Sequence, residues 1–169
     1  MKISQLNALD QDAFVAALGG IYEHSPWVAQ RISSGRPFDL IEQMLDQMRR
    51  VVDGAGPEAQ LELILAHPDL AGKLAISGNL TESSKREQAG VGLDRLEPEE
   101  FAQFSAFNRR YREKFGFPFI ICVRNTDKAG ILAAFSERLG HSPEQEIASA
   151  LREIHDIARL RLMDLVTTD

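Results

Sequence analysis

The segment Ser142–Val166, SPEQEIASALREIHDIARLRLMDLV, decides the fold. Ser142 can accept a backbone N–H of the first helical turn, and Gln145 can reach back to it, the two halves of a capping box. Pro143 falls at the first helical position, where the N–H it lacks would have had no partner. Ile147, Leu151, Ile154, Ala158, Leu162 and Leu165 follow at intervals of three and four and so share one stripe. The pattern predicts the last and longest helix of the chain.

The same signals recur upstream. Five of the seven prolines follow a residue suited to a helix start: Ser25-Pro26, Gly56-Pro57, His67-Pro68, Glu97-Pro98 and Ser142-Pro143. Helical spacing then appears in Leu40, Ile41, Met44, Leu45, Met48, Val51 and Val52, and in Phe101, Phe104, Phe107, Tyr111 and Phe115. Asp127 can cap a helix carrying Ile131, Leu132, Phe135 and Leu139. Shorter stretches near 11–22, 26–33, 57–66, 68–76 and 83–89 also read as helical. Only 117–123, FPFIICV, looks extended, and a lone strand cannot satisfy its own ladder. The expectation is an all-α protein, a helical bundle of about eight to nine helices in a single domain over 1–169, with one short extended segment.

Composition narrows the function. The 169 residues carry 19 Lys and Arg against 25 Asp and Glu, a net charge of −6, which argues against a nucleic-acid binder. One cysteine, Cys122, excludes an intrachain disulfide framework and a cysteine-rich zinc site. The longest apolar run, 117–123, is far short of a membrane span, and the N-terminus has no apolar stretch able to act as a secretory signal. A cytoplasmic protein is expected.

Of the four histidines, His24, His67, His141 and His155, none lies three or four residues from another, so no metal-binding pair is expected. His67 stands apart because Pro68 follows it and must break the helix there. His67 is then expected beside the N-terminus of the next helix, whose positive end favours the neutral imidazole and attracts anions. Ser84 and Glu87 are three apart; the pair reads either as a capping box or as two functional groups on one helix face. The FPFIICV segment is either a buried connector or a backbone edge suited to a planar, urea-like ligand. Cys122 within it reads as a packing residue. Arg152, Arg159 and Arg161 on the last helix could offer a planar fork to a carboxylate or carbonyl.

Taken together, GGIYEHSPWVAQR, LILAHPDLAGKLA, LTESSKREQAGVGLDRL, FNRRYREKFGFPFIICVR and IHDIARLRLMDLV resemble the 2-oxo-4-hydroxy-4-carboxy-5-ureidoimidazoline (OHCU) decarboxylase family. These are cofactor-free enzymes of urate breakdown that yield (S)-allantoin. The resemblance implies an all-α fold that dimerises, a small ureidoimidazoline substrate and no bound metal. It places the catalytic histidine at His67 and its acidic partner at Glu87. It places the substrate pocket at Pro68, at Ser84, Lys85, Arg86, Glu87 and Gln88, and at Phe119, Ile120, Ile121, Cys122 and Val123. An arginine near the chain end falls on Arg161, with Arg159 only two residues away. A neutral imidazole with a pKa near 6.5 suits the proton transfer that decarboxylation needs.

A different class also uses a His-Pro-Asp turn. J domains of co-chaperones do, behind a helix with a basic face. Here PEAQLELILA precedes the turn with Glu58 and Glu62 and no Lys or Arg, which makes a non-catalytic adaptor using His67-Pro68-Asp69 the weaker expectation.

Overall fold

A computed structural model describes residues 1–72 and 80–169 of the chain. Among them are nine α-helices: α1 (Ile3–Asn7), α2 (Gln11–Leu18), α3 (Pro26–Ile32), α4 (Ile41–Asp53), α5 (Pro57–Leu65), α6 (Glu82–Gly90), α7 (Pro98–Phe115), α8 (Lys128–Arg138) and α9 (Pro143–Leu165). No strand occurs among the described residues, and no helix there is long and apolar enough to cross a membrane. The all-α expectation holds. Prolines 26, 57, 98 and 143 each open a helix, as their positions predicted. The backbone groups into two compact units, Met1–Ala66 with His155–Asp169, and His67–Ile154.

In the first unit, Asp10 caps α2 by accepting the N–H of Ala13 at 2.8 Å. Met44, Met48 and Val52, at successive four-residue steps, form the buried face of α4, whereas Leu40 lies before the helix and stays exposed. The N-terminal ammonium donates to the carbonyl of Leu165 at 2.8 Å, and Ile3 N–H to that of Thr167 at 3.0 Å. His155 is buried and fully partnered: Tyr22 Oη lies 2.9 Å from Nδ1 and Asp53 Oδ1 lies 3.1 Å from Nε2. A carboxylate only accepts, so Nε2 carries the ring proton and Tyr22 donates to Nδ1. Burial raises the Tyr22 pKa, which suits a hydroxyl that must keep its proton.

The second unit is organised by aromatic rings and one carboxylate. Phe119 stacks on Phe135 with centroids 3.8 Å apart, and Tyr111 meets Phe119 edge-on at 5.2 Å. Glu146, with no exposed surface, accepts from Tyr111 Oη, from Arg138 Nε at 3.0 Å and from His141 Nδ1 at 2.7 Å. Burial pushes this carboxyl up, but the hydrogen bonds from Arg138 and Tyr111 outweigh it and hold it below its usual range. Asp127 caps α8 through Gly130 N–H at 2.8 Å, and Ser142 and Gln145 form the expected box at α9. Gly116, with φ +79°, ends α7 in the left-handed conformation and turns the chain into 117–123. That segment is neither helix nor paired strand; Cys122 at its end is extended and leads into a 3₁₀ turn, Val123–Asn125.

Two stability tests follow. Glu146→Gln leaves Arg138 buried with an uncompensated charge and should cost about 3–5 kcal/mol; a denaturation midpoint equal to wild type would contradict this. Burial also holds the His155 pKa below its ordinary value, against the pull of Asp53. A histidine with a depressed folded pKa contributes stability above its unfolded pKa of about 6.5 and loses it as the pH falls. The Tm should therefore decline on acidification from about pH 7 to 5. Part of that decline should vanish in His155→Gln; identical slopes in the two proteins would remove His155 as a cause.

Candidate active site

Helix α5 stops where proline predicts. Ala66 closes it by donating to the carbonyl of Glu62 at 2.9 Å, and Pro68 excludes the helical conformation at His67. The chain then departs from expectation. Residues 68–72 are loop with a turn at Leu70 and Ala71 rather than the start of a helix, and residues 73–76 of the expected 68–76 helix lie outside the described residues. Ala71 has φ +49°, a left-handed conformation that cannot continue a helix and costs a non-glycine residue about 1–2 kcal/mol. No helix dipole therefore begins at Pro68. His67 is buried at 7% exposure, and Pro68 beside it is half-buried.

Side chains from two helices hold this turn. Gln88 of α6 accepts the Ala71 N–H on Oε1 at 3.0 Å. Asn108 of α7 donates from Nδ2 to the carbonyl of Leu70 at 2.7 Å. Arg112, one turn further along α7, shares its Nε–H between the two carboxylate oxygens of Asp69 at 2.8 and 3.1 Å. Asn108 and Arg112 were not singled out from the sequence, and Asp69 entered there only as part of the adaptor turn. The signal was the four-residue spacing of Asn108 and Arg112 in FNRRYREKF, which puts both on one face beside the buried Tyr111.

Helix α6 is not capped by Ser84 and Glu87. Thr81 is its N-cap, its Oγ1 accepting Ser84 N–H at 3.3 Å, so the helix begins a turn earlier than a Ser84–Glu87 box requires. Ser84 and Gln88 are buried on one face, Glu87 between them is half-buried, and Lys85 and Arg86 are exposed.

The 117–123 segment answers in part to the buried connector that the sequence allowed. Part is a satisfied connector: Arg138 Nη1 donates to the carbonyl of Ile120 at 2.7 Å, and Cys122 N–H donates to Glu153 Oε2 at 2.8 Å. Arg138 also lies 4.3 Å over the ring of Phe119. Phe119, Ile120, Cys122 and Val123 are buried, whereas Ile121 is half-exposed; among the described residues its N–H and C=O carry no hydrogen bond. Helix α6 packs on the Val123–Asn125 turn. The second unit thus brings together the His67 turn, the Ser84–Gln88 helix and the 119–123 segment.

Arg161 belongs to the first unit. It is buried, and its Nη1 donates to the equally buried Glu23 carboxylate at 2.7 Å. Arg159 differs as its two-residue offset implies: it is exposed, with Nη1 3.7 Å from Met163 Sδ, and it lines a cavity with Tyr22 and His155.

Comparison with known proteins identifies the family. The family model described as OHCU decarboxylase matches residues 7–163. The chain is 42% identical over 169 residues to the 2-oxo-4-hydroxy-4-carboxy-5-ureidoimidazoline decarboxylase of Haloferax volcanii, covering all of this chain and 98% of the relative. It is 39% identical over 165 residues to the uric acid degradation bifunctional protein of Bacillus subtilis, covering 98% of this chain and 33% of that larger protein. A solved (S)-allantoin synthase superposes with a TM-score of 0.79 at 32% identity, over 98% of this chain and 54% of that one, so this chain spans about half its length. With a family match across nearly the whole chain and relatives this similar, the chain belongs to the OHCU decarboxylase family.

Proposed function

We propose that His67 and Glu87 carry the decarboxylation in this chain, His67 in the proton transfer and Glu87 as the acceptor that orients it. The substrate carries a carboxylate and a hydroxyl on one ring carbon and a ureido arm on the next. When the C–C bond to CO₂ breaks, its electron pair stays on the ring carbon and spreads into the adjacent C=N. The site must stabilise that charge and deliver one proton to one face. A buried imidazole in a fixed turn suits the second task, and polar groups already in place suit the first.

The observation that carries this reading is the hydrogen bond from Ala71 N–H to Gln88 Oε1. It ties the turn that bears His67 to the helix residue next to Glu87, across sixteen intervening positions. Gln88 Nε2 is then the end of that amide able to donate to a substrate carbonyl. Ser84 offers a hydroxyl from the same face, the Ile121 backbone offers one donor and one acceptor, and Pro68 walls the turn. Lys85 and Arg86, exposed on the same helix, place positive charge near its first turns. Such local charge matters because the whole chain, at −6, repels an anion. We take the working unit to be a cytoplasmic homodimer; a monomer mass by light scattering would remove that part of the reading.

The adaptor alternative is not favoured. Asp69, which an adaptor would present to a partner, is engaged by Arg112 within the chain.

His67→Asn should keep the fold and ligand binding and lose enzymatic decarboxylation. Freshly oxidised and hydrolysed urate should give optically active allantoin with the wild-type protein and racemic allantoin with this variant. Near-normal turnover by His67→Asn would sink the assignment. Glu87→Gln should lower turnover with little change in Tm, because Thr81 and not this pair caps the helix; a large Tm loss with normal turnover would return Glu87 to a structural role. Chelators should leave the rate unchanged.

A further inference from the structure

The turn 67–71 is not held by its own backbone alone. Asn108, at 7% exposure, donates to the carbonyl of Leu70 at 2.7 Å. Arg112, four residues on and on the same helix face, donates to both oxygens of Asp69. Between them Tyr111 is fully buried and bonded to Glu146, so the face that presents Asn108 and Arg112 is anchored in the aromatic core. The residue they fix next to, Ala71, sits at φ +49°, a conformation that persists only where its surroundings impose it. His67 precedes a proline and lies two residues before Asp69. Its imidazole therefore projects from the backbone of this turn.

We propose that Asn108 and Arg112 are positioning residues for the decarboxylation, acting through the turn that carries His67. The proposal rests on the reading of His67 as the proton-transfer group. Neither side chain is assigned to the substrate. Asn108 fixes the carbonyl on one side of the left-handed Ala71, and Arg112 fixes the carboxylate two residues from His67. Removing either lets the turn relax and the imidazole drift from the position at which it meets the reacting carbon. Such a fault slows chemistry more than it weakens binding.

The test compares steady-state kinetics of the whole protein on freshly generated substrate. Asn108→Asp keeps the shape of the side chain but turns a donor into an acceptor facing the Leu70 carbonyl. Arg112→Gln removes the ion pair at an exposed position, where the fold is not at stake, so the Arg112 series decides the matter should Asn108→Asp not fold. In both variants kcat should fall roughly 10- to 100-fold with KM nearly unchanged. Arg112→Lys should restore most of the rate. The double variant Asp69→Asn/Arg112→Gln should be no slower than Arg112→Gln alone, because both act through one contact. Arg109→Gln, an exposed charge removed from the same helix, should turn over normally. The His67 Cε1–H resonance, assigned by its absence in His67→Asn, should shift in Asn108→Asp and Arg112→Gln.

Normal kcat in Arg112→Gln, an additive loss in the double variant, or an equal loss in Arg109→Gln would overturn the proposal. So would a rise in KM at constant kcat. The two readings fail separately. If His67→Asn is inactive while the Asn108 and Arg112 variants are normal, only the positioning roles fall. If His67→Asn turns over normally, the reading beneath them falls.

Discussion

A carboxylate with no water around it needs a partner for every oxygen, and Glu146 has them in Tyr111, Arg138 and His141. Each partner lies on or beside a different piece of the second unit. Tyr111 belongs to α7, Arg138 to α8, His141 to the link before α9. Arg138 has a further hand on the extended segment through the Ile120 carbonyl. One buried charge thus sets where the segment runs, and where α7 stands, before any apolar packing is considered. The rings of Phe119, Phe135 and Tyr111 then close around an arrangement already fixed by charge.

From α7 the constraint passes outward. Asn108 and Arg112 flank Tyr111 and reach the turn after α5, and Gln88 meets the same turn from α6. The turn is short, begins with a proline and contains a left-handed alanine; each of those features opposes helix, and none alone dictates a path. The path comes from side chains on other elements. A histidine placed this way sits in a turn held by side chains of α6 and α7 rather than on either helix.

Much of this was legible in the chain. Prolines 26, 57, 98 and 143 and the caps at Asp127 and Ser142 are local signals, and local signals survive folding. The adjacency of the LAHPD, S-x-x-EQ and FPFIICV pieces was legible only as a resemblance, since no periodicity relates segments so distant in sequence. Three things were hidden. Pro68 carries the same mark as the other prolines, yet Ala71 leaves the helical region at once, its own N–H taken by Gln88 and the preceding Leu70 carbonyl by Asn108. Ser84 and Glu87 fit a capping box, yet Thr81 stands a turn earlier and takes the cap. The apolar stripe of α9 pointed to Ile147 and Leu151, whereas the fully buried positions at that end are Glu146 and Ala150. A hydrophobic pattern cannot reveal a charge chosen for burial, because what makes it tolerable lies on other helices.

The chain from Tyr22 through His155 to Asp53 has a direction. Asp53 can only accept, so the ring must donate from Nε2, so Nδ1 must accept, so the tyrosine must donate. Every proton points from the interior toward the half-exposed carboxylate. The tautomer of a buried ring is therefore dictated by the chemistry of a group at the surface. An amide at that outer end could donate as well as accept, and the whole relay would then be free to run backwards with only protons changing place.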